Sequence, residues 1–340
     1  MAERASRRPI RAIDALALRY RHWCQFEKQH QGYEIMAVQV GFIGLGNIGR
    51  PMAMNIQKRF PGTLVFDLDP AKVEALVAAG ARKAQSVGEL AKAAQVIALS
   101  LPTSNEVEKV LLGPDGVAAH AAPGTLILDL TSGSPPKSIA VAAALKEKGI
   151  RFVDAGVSGG IAGATAATLG IMVGGSDADV ADAMPYFEAL GKTIVHMGDV
   201  GAGHTTKALN NMLLAINTVA VSEVMSLAVK AGLDAGKVLT AINGSSGRSY
   251  VTDVRFPRYV MKGDYSHAGG MALALLVKDV AIACETARAN DTGFFVGNLI
   301  HQMLLRIGGE LGMSAPNHSV AKAIENWAGV EIRWKDGEGA

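Results

Sequence analysis

An α/β chain is predicted, with a doubly wound parallel sheet followed by an all-helical C-terminal domain and a long helix bridging the two. Three observations carry this expectation. A glycine-rich turn, Gly44-Leu45-Gly46-Asn47-Ile48-Gly49, follows a strand-like run from Ala37 to Ile43 and opens a helical pattern from Pro51 to Phe60. Short apolar strands then alternate with helical stretches as far as Val195. Beyond Gly232 strand signals are largely absent.

Residues 1–35 read unlike the rest. They carry Arg4, Arg7, Arg8, Arg11, Arg19 and Arg21 against Glu3, Asp14, Glu27 and Glu34, and their apolar residues are too sparse for a signal-peptide core. The Arg-rich composition suits a transit peptide, but the acidic residues count against one. The segment is expected to be an extension with no part in the chemistry, because a chain starting at Met36 would be complete by fold logic.

The glycine turn sits where a Rossmann-type dinucleotide fingerprint must sit, between a buried strand and a helix. Gly44 permits the tight turn, Gly46 lets the backbone approach a pyrophosphate, and Gly49 allows close helix–strand packing. Leu45, Asn47 and Ile48 complete the cofactor loop, and the helix N-terminus offers unpaired N–H groups to phosphate. Leu64-Val65-Phe66 forms the next strand and Asp67 ends it, about 20 residues on, where an acid takes a ribose 2′-OH. Leu68 and Asp69 stand where an NADP site would prefer arginine, so NAD is expected over NADP.

The alternation continues with a helix over Ala71 to Ala79 and a strand over Val96 to Leu99, then a helix over Glu106 to Leu112 and a strand over Thr125 to Leu128. Ligands in such sheets bind beyond the carboxyl ends of the strands. Leu101, Pro102 and Ser132 fall there and are candidate cofactor contacts, although small hydroxyl residues at strand ends are also ordinary turn chemistry. Phe152 to Val157 leads into Ser158-Gly159-Gly160, whose backbone N–H groups can form an anion-binding concavity. Ile171-Met172-Val173 and Thr193-Ile194-Val195 read as further strands.

A loop from Gly198 to Gly203 then passes Lys207, Asn210 and Asn211 into a helical segment over Met212 to Val229. Good helix formers without proline support the helix, and Gly232 should stop it. Lys207 and Asn211, four apart, share one face over the first turn and head a stripe through Leu214, Thr218, Val221 and Met225. They are either functional groups or solvated first-turn residues. Asp234 to Ile242, Leu273 to Asn290 and Gly297 to Ile307 are expected helices. The expected division is therefore an extension at 1–35, a cofactor-binding domain at 36–200 and a helical substrate and oligomerisation domain at 201–335.

Composition narrows the function classes. The 340 residues are 49% hydrophobic, enough for large cores, and the net charge of +2 argues against a broad nucleic-acid surface. No uncharged apolar run reaches a membrane span, since Asn217, Ser222 and Glu223 interrupt the longest. The eight histidines show no metal-ligand spacing. The two cysteines, Cys24 and Cys284, show none either, and fit a reducing, cytoplasmic setting. Apolar stretches over Met271 to Leu276 and Phe294 to Ile300 suggest a homodimer or homotetramer packed through the helical half.

Four motifs together resemble the β-hydroxyacid dehydrogenase family over roughly Val38 to Trp327: GFIGLGNIG, DAGVSGG, GAGHTTKALNN, and Lys278-Asp279. Ser245 to Tyr250 resembles the branch acting on 3-hydroxyisobutyrate, with an aromatic at Tyr250. Two positions depart from the pattern: Gly156 stands where the family usually has proline, and Met271 where an aromatic often precedes the Lys-Asp pair. The resemblance implies an NAD-dependent oxidation of a small β-hydroxy acid. In that case Lys207 transfers the proton and Asn211 hydrogen-bonds the substrate, with Asn210 an alternative by geometry. Ser158 and the N–H groups of Gly159 and Gly160 would hold the carboxylate, and Lys278 would reach the nicotinamide end of the cofactor. To serve as a base at neutral pH, Lys207 would have to be buried and brought toward about 7–8. Arg248, Arg255 and Arg258 could add anion recognition or be solvated surface residues. A semialdehyde reductase and a non-catalytic nucleotide-binding scaffold are the competing functions.

Overall fold

The structure, a computed structural model, describes residues 38–266 and 271–335. The extension at 1–35, Met36 and Cys24 lie outside the described residues. From Gln39 onward the described residues belong to one compact unit.

Eight strands form one sheet in the order β3-β2-β1-β4-β5-β6-β7-β8. They are β1 (Val40–Ile43), β2 (Leu64–Phe66), β3 (Arg82–Lys83), β4 (Val96–Leu99), β5 (Leu126–Asp129), β6 (Arg151–Ser158), β7 (Leu169–Gly174) and β8 (Gly191–Gly198). Seven follow the apolar runs expected above, and the short edge strand β3, which is polar, was not foreseen. Successive strand residues face opposite sides of a sheet. Accordingly Phe42, Ala98, Leu128 and Val153 pack into one core, while Ile43, Ile97, Ile127 and Phe152 pack into another on the opposite face. That double burial is why these strands read as unbroken apolar runs.

The sheet departs from all-parallel at one place. β7 runs antiparallel to β6, with Gly156 opposite Met172. Only the short helix Gly160–Ala166 joins them, and a parallel crossover needs a longer connection.

The bridging helix is longer than its apolar pattern suggested. It spans Ala202–Lys230, 29 residues, and starts ten residues before Met212. Lys207 and Asn211 therefore lie within it rather than at its first turn. The start is set by tertiary contacts: Gly201 takes φ +97° and its N–H donates to Asp154 Oδ1 at 2.6 Å, while His204 N–H donates to Asp154 Oδ2 at 2.7 Å. Asp154 lies on β6, so the first turn is capped from another element. The end is as expected. Gly232 takes φ +82°, its N–H reaches Val229 O at 2.9 Å, and Leu233 N–H reaches Ala228 O at 3.0 Å, a glycine-terminated helix end.

By length and hydropathy this helix could cross a membrane. It continues through Asn217, Ser222 and Glu223, which break the apolar run but not the helix, and the Ser222 hydroxyl donates to the Thr218 carbonyl at 2.6 Å. Yet its buried residues pack on the sheet at one end and on helices along its length, which is the arrangement of a core helix. Around it lie Leu273–Ala289, Phe295–Leu311 and Val320–Ala328, with Ala208, Met212, Ala215 and Val219 in a shared core with Leu276, Val280, Leu304 and Ile324.

Candidate active site

The glycine turn has the shape its spacing implied. Gly44 adopts φ +92°, and a β-carbon there would strike the Ser100 carbonyl; one at Gly49 would strike the Gly44 carbonyl. A β-carbon at Gly46 would meet nothing within 4 Å, so the turn leaves an open cradle beside the backbone. Ile48 precedes the helix Gly49–Arg59 without a side-chain cap; the Arg50 N–H donates to the Gly46 carbonyl at 2.9 Å and Pro51 has no N–H, which leaves the Gly49 N–H for an anion. These features fit a dinucleotide pyrophosphate. Asp67 stands at the end of β2, where its Oδ2 accepts the Leu45 N–H at 2.7 Å and its Oδ1 the Asp69 N–H at 2.9 Å.

One nearby group escaped the sequence reading. Lys72, on the helix Pro70–Val77, places Nζ 3.6 Å from Asp67 and 3.9 Å from Asp69. The two carboxylates expected to repel a 2′-phosphate thus carry a cation between them. Extending the search for a basic residue past position 68 to the following helical turn would have found it.

The loops beyond β4 and β5 converge on this cradle. The Leu101 side chain lies against Gly44, and Leu101 N–H donates to Thr131 Oγ1 at 3.1 Å. Pro102 is exposed on the same loop and Ser132 is half-buried. Lys278 crosses from the helical half to donate to the Ser132 carbonyl at 2.5 Å, so it is not a solvated helix lysine.

On the bridging helix, Lys207 is only 9% exposed and Asn211 is buried. Burial pushes the Lys207 ammonium down to about 8; the Asp279 carboxylate opposes the change and the Lys278 charge adds to it. Asn211 Nδ2 donates to Asp279 Oδ2 at 2.5 Å, and its Oδ1 accepts from Asn210 at 3.1 Å. Asn210 itself is exposed, which separates two residues that spacing alone left open. Asp279 was quoted above only as half of a motif. It orients Asn211 and lies 3.4 Å from Lys278 Nζ, so it joins the two halves of the site.

β6 supplies the floor. Asp154, Gly156 and Ser158 alternate along it and share one face. Asp154 caps the helix, and a β-carbon at Gly156 would lie 2.5 Å from Lys207 Cβ, so the residue that departs from the family pattern is in contact with the lysine. Ser158 follows at roughly 7 Å along the strand. Gly159 and Gly160 then take φ +132° and +63°, and a β-carbon at Gly160 would meet nothing within 4 Å. The space beside Gly160 leaves the backbone of this block approachable, as the anion-binding role expected of it requires.

The histidines near the helix start are structural. His204 is buried with Nδ1 at 2.9 Å from Ser138 Oγ, and His196 bonds the Gly175 carbonyl at 2.8 Å. No group of three or more metal-ligating side chains occurs among the described residues. Of the three arginines, Arg248 pairs with Asp253 at 2.7 Å at the surface, Arg258 lies over the Tyr259 ring, and Arg255 turns inward.

Residues 39–198 match the family model of the NAD binding domain of 6-phosphogluconate dehydrogenase. Residues 201–324 match that of the NAD-binding region of NADP-dependent 3-hydroxyisobutyrate dehydrogenase. The chain is 39% identical over 297 residues to 2-(hydroxymethyl)glutarate dehydrogenase of Eubacterium barkeri, covering 87% of this chain and 98% of the relative. It is 40% identical over 279 residues to the NAD-dependent L-serine dehydrogenase of Pseudomonas aeruginosa, covering 79% and 93%. Among solved structures it superposes on the 3-hydroxyisobutyrate dehydrogenase of Mycobacterium tuberculosis with L-serine, with TM-score 0.78 and 29% identity, over 85% of this chain and 99% of that one.

Proposed function

The chain belongs to the β-hydroxyacid dehydrogenase family, and from that premise we propose that it oxidises the hydroxyl of a small β-hydroxy acid, of 3-hydroxyisobutyrate type, to the semialdehyde. It is an NAD(P)-dependent oxidoreductase acting on CH–OH groups. The observation that supports the specific reading is Lys207: a buried lysine with its pKa near 8, beside Asn211 and Asp279 and packed on Gly156 of β6.

The Gly44–Gly49 turn and Asp67 would hold NAD+, which when bound would supply the hydride acceptor. Neutral Lys207 accepts the substrate hydroxyl proton, and in reduction its ammonium returns that proton to the carbonyl oxygen. Asn211, held by Asp279, donates a hydrogen bond that fixes the substrate oxygen near Lys207. Ser158 and the N–H groups of Gly159 and Gly160 hold the carboxylate. Lys278 braces the Ser132 loop against the helical half and so positions the cofactor edge. With the division at residues 200 and 201, the sheet half holds most of the cofactor and lends the Ser158 block to the substrate, while the helical half brings Lys207, Asn211 and Lys278.

A panel of small hydroxy acids and their semialdehydes with NAD(H) and NADP(H), followed at the absorbance of the reduced cofactor, tests the reading. Turnover chiefly in reduction would favour a semialdehyde reductase of tartronate or succinate semialdehyde type. No turnover in either direction would leave a nucleotide-binding scaffold.

NAD is expected to be preferred in kcat/KM because Asp67 meets the ribose. Lys72 refines the expectation. Asp67→Ala should release Lys72 toward a 2′-phosphate and raise NADP use several-fold, as suits a partly exposed pair worth up to ~1 kcal/mol. The further change Lys72→Ala should cancel the gain. A wild-type preference for NADP would remove Asp67 from this role.

Assembly through the helical half is part of the same proposal. Leu227 is 70% and Phe295 88% exposed, with Leu213, Val224 and Leu299 also uncovered, so these helices leave apolar faces for another copy. Sedimentation should show a dimer or tetramer; a monomer at all concentrations would refute it. A cytoplasmic setting is supported by Cys284, a buried free thiol, and is checked by cell fractionation.

A further inference from the structure

Arg255 ends a single π-helical turn, Val251–Arg255, with its side chain directed inward. Burial lowers its pKa from the usual arginine value, and the groups that oppose this are the tyrosines Tyr250 and Tyr259. Among the described residues no carboxylate lies within ion-pair distance of it, whereas Arg151, Arg248, Arg306 and Arg333 each have one. Its guanidinium donates to Asn317 Oδ1 and lies beside the Tyr250 side chain. Two N–H donors beside each other then have no acceptor: Arg255 Nε and Asn317 Nδ2 are both buried and unpartnered. A buried cation with vacant donors is costly unless an anion completes it.

The turn packs on the bridging helix, on the stretch that follows Asn211. Val251 packs with Leu214, Val221 and Met225, the stripe that continues from Lys207 and Asn211. Leu214 is one turn beyond Asn211, about 5 Å along the axis. Asn317 is tied by its N–H to the Met271 carbonyl at 2.9 Å, just before the helix that bears Lys278 and Asp279. Tyr250, beside the guanidinium, is 60% exposed, and Arg255 itself is half-buried.

We propose that Arg255, with Asn317 and Tyr250, forms a second anion subsite that receives the distal carboxylate of a dicarboxylic β-hydroxy acid. This rests on the hydroxy-acid function proposed above and specifies its substrate class. The first carboxylate occupies the Ser158 loop, the hydroxymethyl carbon lies at Lys207, and the side arm reaches Arg255. An arginine–carboxylate contact suits that role because its donors are fixed in a plane matching two oxygens. The reaction is unchanged: the C–H hydride leaves for the oxidised cofactor and the O–H proton for Lys207.

The diagnostic pair is 2-(hydroxymethyl)glutarate and 3-hydroxyisobutyrate, which share the hydroxymethyl acid and differ in the side arm. The wild-type enzyme should favour the dicarboxylate in kcat/KM by about tenfold or more. Arg255→Met should cut the dicarboxylate kcat/KM by about 10- to 100-fold, mainly through KM, and change 3-hydroxyisobutyrate only a few-fold. Arg255→Lys should recover part of the loss. Equal losses on both substrates would show a purely structural residue, and a wild-type preference for 3-hydroxyisobutyrate would overturn the subsite while leaving the proposed function intact. If neither acid turns over, the proposed function fails, and calorimetry with glutarate and the reduced-cofactor complex decides the subsite separately. Binding lost in Arg255→Met would support it, and binding absent from the wild type or unchanged in the variant would overturn it.

Discussion

Lys207→Ala is expected to lower kcat by on the order of 10² to 10⁴, roughly 3–5 kcal/mol of transition-state stabilisation, with little change in NAD affinity. The cofactor contacts proposed at Gly46 and Asp67 lie on the sheet, away from this side chain. Lys207→Arg keeps the charge but cannot lose a proton near neutral pH, so it should be nearly as poor. The pH dependence follows from the direction of the shift. Burial holds the Lys207 pKa near 8 rather than at the ordinary lysine value, so the neutral amine accumulates as pH rises through 8. Oxidation should therefore rise through that range, and reduction, which needs the ammonium, should fall. Asp279 holds the lysine's pKa up, so Asp279→Asn should move both limbs to lower pH. Stopped-flow hydride transfer measured across pH, with cofactor affinity measured separately, decides the matter. Near-normal kcat in Lys207→Arg would remove the lysine from proton transfer.

Asp154→Ala should destabilise the protein by about 2–4 kcal/mol, because two buried N–H groups, of Gly201 and His204, lose their acceptors together. The consequence goes beyond stability. These N–H groups begin the helix that holds Lys207 one to two turns further on, so kcat should fall as well. Asp154→Asn retains one acceptor oxygen and should lie between wild type and Ala in melting temperature. Thermal denaturation of the three proteins, read beside kcat, tests the cap. An unchanged melting temperature in Asp154→Ala would mean that the helix start is held by other contacts.

Part of the site was legible without coordinates because its signals are local. The Gly44 turn needs particular residues at particular spacings for backbone reasons alone, and it sits where a strand ends and a helix begins. Lys207 and Asn211 are four apart on one helix, so their shared face follows from the helical repeat. The Ser158-Gly159-Gly160 block announced its backbone by composition, and Gly232 marked the end of the bridging helix.

Other features depend on residues far apart in the chain. The bridging helix begins at Ala202 rather than Met212 because an aspartate on β6 accepts its first N–H groups, and no local pattern encodes a cap 47 and 50 residues away. Lys72 lay close in sequence, but only the turn into its helix brings its amine between Asp67 and Asp69. The reversal of β7 came from the length of one short connection. Asp279 and Arg255 were ordinary charged residues by pattern. Packing buries Asp279 against Asn211 and leaves Arg255 inward without a carboxylate partner among the described residues. By itself, then, the sequence determined the fold class, the cofactor turn and the position of the lysine, since each follows from backbone geometry over a few residues. Only the tertiary structure decided the lysine's pKa, the start of its helix and the inward arginine, because desolvation and charge pairing depend on which distant groups fold against a side chain.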